Sequence, residues 1–206
     1  GFGVVVTGTL TDGRFSVGQE VEIQPSGRTA RVRGLQTHKE KIELALPGSR
    51  VAINLSGVSK QDVQRGDVVT TPGWLHPTTL VDVQLRYLPT RGKSLQHNTQ
   101  LKFFSGASES LARVRLLSAD SLAPGEVGGA QLSLQEPLAL VKGDRFIVRS
   151  TSSDLTLGGG EVLDAAPLHH RRRPPRLIEG LTRLADGGLA ELVSAELRKH
   201  ASVLTR

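Results

Sequence analysis

Residues 1–35 read GFGVVVTGTLTDGRFSVGQEVEIQPSGRTARVRGL. Val4, Val5, Val6, Thr7 and Thr9 form a β-branched run and Asp12-Gly13 a turn dipeptide; Val21 and Ile23 then alternate with Glu20 and Glu22 before Pro25-Ser26-Gly27 turns the chain again. Short segments of period two, cut at close intervals by Gly, Pro and Asp, are the grammar of an antiparallel all-β domain. The same grammar predicts strands over 3–10, 20–23, 29–35, 50–55 and 68–71, with turns at Pro47-Gly48 and Arg65-Gly66-Asp67. About five or six strands within residues 1–74 make a small closed barrel, a shape that removes exposed strand edges.

Pro72-Gly73-Trp74-Leu75-His76-Pro77 breaks the pattern and marks a domain junction. A second barrel is expected over 78–165, with strands at 79–87, 99–104, 108–117, 130–134, 145–150 and 160–163, because no stretch of helical period there exceeds two turns. Residues 166–175 change composition to a basic, proline-containing linker, His169-His170-Arg171-Arg172-Arg173-Pro174-Pro175. Leu177, Ile178, Leu181 and Leu184 then recur at helix spacing up to Asp186-Gly187-Gly188, and Leu189, Leu192, Val193 and Leu197 form a second apolar stripe. Two short amphipathic helices over 176–206 cannot bury both stripes alone, so the chain is expected to end inside a further, partial domain. The fold class is mainly β, two consecutive β-barrels followed by a short helical segment.

The 206 residues are 37% apolar and 22% charged, the balance of an ordinary globular chain. No apolar run approaches the roughly 20 residues of a membrane-spanning helix, and residues 1–10 lack the pattern of a signal peptide. Zero cysteines exclude disulfides, cysteine-ligated zinc and thiol nucleophiles. The net charge is +6, of which residues 168–206 supply the larger part: Arg171, Arg172, Arg173, Arg176, Arg183, Arg198, Lys199 and Arg206 face only Glu179, Asp186, Glu191 and Glu196. Such a cluster suits a polyanionic partner, and a solvated linker accounts for it equally well.

Catalytic patterns are missing. There is no GxxxxGK[ST] loop, helix-opening GxGxxG, HExxH or GxSxG. Gly158-Gly159-Gly160 is followed by neither a lysine nor a helix start, and reads as a tight lead-in to the strand at Glu161. His169 and His170 are adjacent and so point to different sides of the chain, with no third ligand in view; no metal site is expected. Asp12, Asp62, Asp67, Asp120 and Asp144 sit at turn positions, so no paired acid and base is indicated.

What distinguishes the chain is an ordered string of short motifs: Gly1 to Leu10, Val17-Gly18-Gln19-Glu20-Val21-Glu22-Ile23, Arg31-Val32-Arg33-Gly34-Leu35-Gln36, Pro47-Gly48-Ser49-Arg50-Val51-Ala52-Ile53-Asn54-Leu55 and Arg65-Gly66-Asp67-Val68-Val69. In this order they resemble the second domain of the translational GTPases that carry aminoacyl-tRNA. Ser105 to Val114, Pro124-Gly125-Glu126, Ala130-Gln131-Leu132 and Gly143 to Arg149 are similar to the third domain of the same proteins. Arg31 to Gln36 with His38, Ala130-Gln131-Leu132, and Thr156 to Asp164 resemble the selenocysteine-specific elongation factor, the SelB type, more than the general Tu-type factor. The helical tail agrees, since bacterial members of that family append winged-helix repeats there.

The resemblance implies that these are the tRNA-binding barrels of a GTP-dependent factor that delivers selenocysteyl-tRNA to the ribosome in the cytoplasm. The family's GTPase domain, with its phosphate loop and its GTP and magnesium, is absent from this sequence, so the chain is expected to be a non-enzymatic part of a larger protein with no cofactor of its own. An mRNA hairpin would be a partner of the complete winged-helix array. By position, Gly1, Gly3 and Val5 would line the pocket of the terminal adenine, with Gln36 and His38 as stacking candidates. Arg50 would line the aminoacyl pocket, where a guanidinium favours an ionised selenol over the neutral side chain of serine. The other reading of Arg50 is an exposed strand-end residue paired with a carboxylate such as Glu43. Arg86, Arg91, Lys93 and Lys102 would contact the tRNA backbone, which positions without specifying. The rival functions are the equivalent domains of a general Tu-like translation GTPase and an assembly module that touches no RNA.

Overall fold

The computed structural model describes residues 3–89, 92–117, 119–170 and 193. The chain divides into two compact units, Gly1–Pro77 and Thr78–Arg206. The helical segment expected over 176–206 and the run Arg171-Arg172-Arg173 lie outside the described residues, Val193 excepted. Among the described residues no helix is long and apolar enough to cross a membrane.

The first unit contains β1 (Val4–Thr9), β2 (Phe15–Ser16), β3 (Glu20–Gln24), β4 (Arg28–Thr37), β5 (Glu40–Ile42), β6 (Leu44–Ala45), β7 (Arg50–Ser56) and β8 (Val68–Thr70). One antiparallel sheet runs β1-β7-β4-β3-β8, with β5 added to β4, and β2 pairs with β6 as a separate ribbon. Val21, Ile23, Ala30, Val32, Leu35, Val51, Ile53 and Leu55 from the sheet share one core with Phe15 and Ala45 of the ribbon. Here the barrel is completed by packing of the ribbon rather than by a continuous hydrogen-bonded ring.

A bulge in β4 decides which of its side chains reach solvent. Ala30 and Val32 are buried, so plain alternation would send Gly34 and Gln36 inward as well. The register against β7 instead shifts between Val32 and Gly34. The extra residue, Arg33, reverses the parity: Leu35 is buried and Gln36 exposed.

The second unit is a closed ring. Its strands are β9 (Thr78–Tyr87), β10 (Leu95–Gln96), β11 (Gln100–Ser105), β12 (Ser108–Leu116), β13 (Ser121–Leu122), β14 (Val127–Leu138), β15 (Arg145–Ser150) and β16 (Thr156–Asp164). The ring order is β11-β12-β14-β9-β16-β15, closed by β15 on β11, with β10–β13 as a small ribbon. Val81, Val83, Leu85, Leu101, Phe103, Val114, Leu132, Val148 and Val162 fill it. Phe103 and Phe146 stack with centroids 5.1 Å apart.

The glycine run proves different from the lead-in expected of it. Gly158, Gly159 and Gly160 lie inside β16 and pair with both β15 and β9. A Cβ at Gly158 would strike the carbonyl oxygen of Arg86, at Gly159 that of Phe146, and at Gly160 that of Gln84. The glycines let neighbouring backbones come together.

After β16 the chain folds back onto the ring as a strap. Arg115, Gln131 and Asp82 form a row across β12, β14 and β9. Asp82 and Gln131 point out of the barrel yet are almost fully buried. His170 Nε2 lies 2.5 Å from Asp82 Oδ2, and Gln131 Nε2 donates to Asp82 Oδ1 at 2.9 Å and to the Leu168 carbonyl at 3.0 Å. Arg115 Nη2 donates to the His170 carbonyl at 3.0 Å. His170 is thus engaged by a carboxylate, and among the described residues no group of three potential ligands could hold a metal ion. His170→Ala leaves a buried carboxylate short of a charge-capable donor; the expected loss is about 2 kcal/mol, read as a lower urea midpoint together with faster amide exchange at residues 166–170.

Candidate nucleic-acid interface

On β7 the odd residues Val51, Ile53 and Leu55 are buried, so Arg50, Ala52 and Asn54 face outward. The antiparallel register sets Val5 opposite Asn54, Thr7 opposite Ala52 and Thr9 opposite Arg50. On the other side of β7, Gln36 lies opposite Ala52 and Gly34 opposite Asn54. Lys41 of β5 continues the row beside Gln36. Residues directly opposite one another share a face, and diagonal neighbours such as Gln36 and Arg50 lie about 7–8 Å apart. Val5, Gln36 and Arg50 therefore stand on one outer face of the first barrel, all three exposed.

The floor between them is made by Ala52 and Asn54 of β7. Gly34 lies beside Asn54 on β4, and a Cβ added there would meet nothing within 4 Å. Gly34 has no positive φ either, so neither backbone conformation nor internal crowding requires glycine there. Gly3 is the opposite case: a side chain there would collide with the Leu55 carbonyl oxygen and Asn54 Oδ1, so its missing side chain accommodates β7. Gly1 lies outside the described residues.

His38 sits at the turn joining β4 to β5, exposed, beside this face. Its Nδ1 is 3.2 Å from Thr37 Oγ1, and that hydroxyl donates to the Arg50 carbonyl at 3.0 Å. Among the described residues Arg50 forms no ion pair, so the pairing with Glu43 is not made and the guanidinium is open to a ligand.

The basic residues named for the second barrel are not gathered. Arg86 is exposed on β9 and Lys102 lies on β11. These strands are three places apart either way round the ring, so the two cations emerge on opposite sides. Lys102 Nζ is also bound to Asp154 Oδ1 at 2.8 Å, and that hydrogen bond holds the Asp154 carboxyl below its usual range. Lys93 is exposed in the loop after β9, its carbonyl accepting the Tyr87 hydroxyl at 2.9 Å. Arg91 lies outside the described residues. The ring thus splits Arg86 from Lys102, and a single phosphate track along this barrel would have to use one side or the other.

Comparison with known proteins fits both units. Residues 3–70 match the family described as elongation factor Tu domain 2, and residues 81–169 match that described as selenocysteine-specific elongation factor, beta-barrel domain. The chain is 40% identical over 199 residues to the selenocysteine-specific elongation factor of Desulfomicrobium baculatum, covering 96% of this chain. The chain belongs to the selenocysteine-specific elongation factor family. It is 32% identical over 204 residues to the factor of that name from Escherichia coli (strain K12), and 30% over 200 residues to that from Haemophilus influenzae. These matches span 98% and 96% of the chain. The chain corresponds to 31% of the length of each of the three factors. The two-barrel architecture expected for the family is the one observed, with Gln131 of the Ala130-Gln131-Leu132 motif at the centre of the His170 strap.

Proposed function

We propose that these barrels bind the charged 3′ end of selenocysteyl-tRNA within a GTP-dependent factor that brings it to the ribosome. The observation that supports this reading most is the outer face of the first barrel, where Val5, Gln36 and Arg50 stand around Ala52 and Asn54, with the open Gly34 beside Asn54. Gly34 gives a flat base close approach to backbone, Val5 and the Gln36 amide give it packing, and the unpaired Arg50 supplies a cation for an ionised side chain. GTP and magnesium belong to the family's nucleotide-binding domain, and no residue of these barrels is assigned to them. An mRNA hairpin is assigned to the winged-helix array, and the cytoplasm is the compartment this role requires.

The placement is tested by photo-crosslinking selenocysteyl-tRNA carrying an azido-adenine at its 3′ terminus to the full-length protein with GTP. Crosslinks are expected in peptides spanning 3–10, 31–41 and 50–56. Crosslinks confined to other parts of the protein would remove the tRNA end from this face and favour an assembly role for the barrels.

A further inference from the structure

We propose that Thr37 is a positioning residue of this site, fixing through one hydroxyl both the hairpin tip that carries His38 and the ring nitrogen that His38 offers to the ligand. This inference rests on the reading of the face as the seat of the charged tRNA end.

The tip is an unfavourable turn for its sequence. Thr37 pairs with Glu40, leaving His38 and Lys39 as the two central residues, at φ 49° and 69°. A two-residue hairpin loop with both centres left-handed is the place for Asn-Gly, and His-Lys must be held in it by something outside the loop. The tie is Thr37, whose Oγ1 reaches across to the Arg50 carbonyl at 3.0 Å. The tip and the first residue of β7 are thereby locked together on the same edge of the face.

The same bond determines the histidine. A threonine hydroxyl has one proton, and here it is donated to Arg50. The 3.2 Å contact with His38 Nδ1 then forms only if Nδ1 carries a hydrogen and donates it to Thr37 Oγ1. In the neutral imidazole the lone pair is left on Nε2. His38 therefore acts as a hydrogen-bond acceptor for an N–H or O–H donor, such as the ribose hydroxyl or exocyclic amine of a terminal nucleotide. Its role is orientation as well as stacking.

The tautomer is read by ¹⁵N NMR of the histidine ring in the unliganded chain, and binding by the affinity of the full-length GTP-bound protein for selenocysteyl-tRNA. Thr37→Val keeps the β-branched shape and removes the hydroxyl; it is expected to abolish the Nδ1–H preference of His38 and weaken binding about fivefold. Thr37→Ser is expected to restore both. His38→Phe keeps a planar ring without the acceptor and should bind about as weakly as Thr37→Val. Amide exchange across β4 and β7 checks that each variant remains folded. Parent-like binding by Thr37→Val alongside weakened binding by Arg50→Ala would overturn the role of Thr37 and leave the site standing. Parent-like binding by both would remove the site itself, and the role of Thr37 with it. An Nδ1–H preference unchanged in Thr37→Val, or parent-like binding by His38→Phe, would overturn the assignment of His38 as an oriented acceptor.

Discussion

Arg50→Ala is expected to cut the preference of the full-length factor for selenocysteyl- over seryl-tRNA by about 30-fold, the equivalent of about 2 kcal/mol for one charge-assisted contact. A selenol ionises well below a thiol, so near neutral pH the selenocysteine side chain is an anion where serine is neutral. Arg50 begins β7, is exposed on the outer face beside Gln36, and has no carboxylate partner among the described residues. Its charge is therefore free to be satisfied by the ligand, whereas a neutral hydroxyl would leave it unpaired as the site dries on binding. Arg50→Lys should retain part of the preference, because it keeps the charge and loses the planar fork. Glu43→Gln serves as the control and should change nothing, since Glu43 does not pair with Arg50. An alanine variant with the parent's preference would show that discrimination lies elsewhere.

Gly160→Ala is expected to have the largest effect on stability. Gly160 pairs with Leu85 of β9 and Phe146 of β15, and the obstacle to a new Cβ is the Gln84 carbonyl oxygen, a backbone atom fixed within the ring. A flexible side chain could move aside; here two ladder strands must separate. The expected cost is about 3 kcal/mol or more, and a fall in melting temperature of roughly 15 °C for a domain of this size. Gly92→Ala, where a Cβ meets nothing within 4 Å, should be within about 0.5 kcal/mol of the parent. Equal melting temperatures for the two variants would contradict the crowding argument.

The longer strands were legible because alternation and turn chemistry are both local. Glu20–Gln24 and Arg145–Ser150 carry period-two patterns between glycine-containing turns, and they form within a residue of where those patterns place them. The ribbons β2–β6 and β10–β13 were not legible, since two residues hold no period. The glycine run of β16 was misread for a related reason: its meaning lies in carbonyls contributed by β9 and β15, far away in sequence. The site divides in the same way. Arg50, Gln36 and Val5 could be named from a family resemblance, yet their common face depends on the parity change at Arg33, which no local pattern announces. Gly34 carries no sign in the sequence beyond its place in a motif, and Thr37 none at all, because an open floor and a cross-strand hydroxyl appear only once β4 is registered on β7. Arg86 and Lys102 show the converse, two cations alike in sequence that ring closure sends to opposite sides.

Whether this face holds a charged tRNA end and selects it by the charge of its amino acid is decided by the affinities of the full-length protein with GTP for selenocysteyl-, seryl- and uncharged forms of the same tRNA. The selenocysteyl form is expected to bind more tightly than both others, by at least about 30-fold over the seryl form. Equal affinity for all three would contradict it, leaving two β-barrels whose outer face serves a general translation factor or an assembly contact.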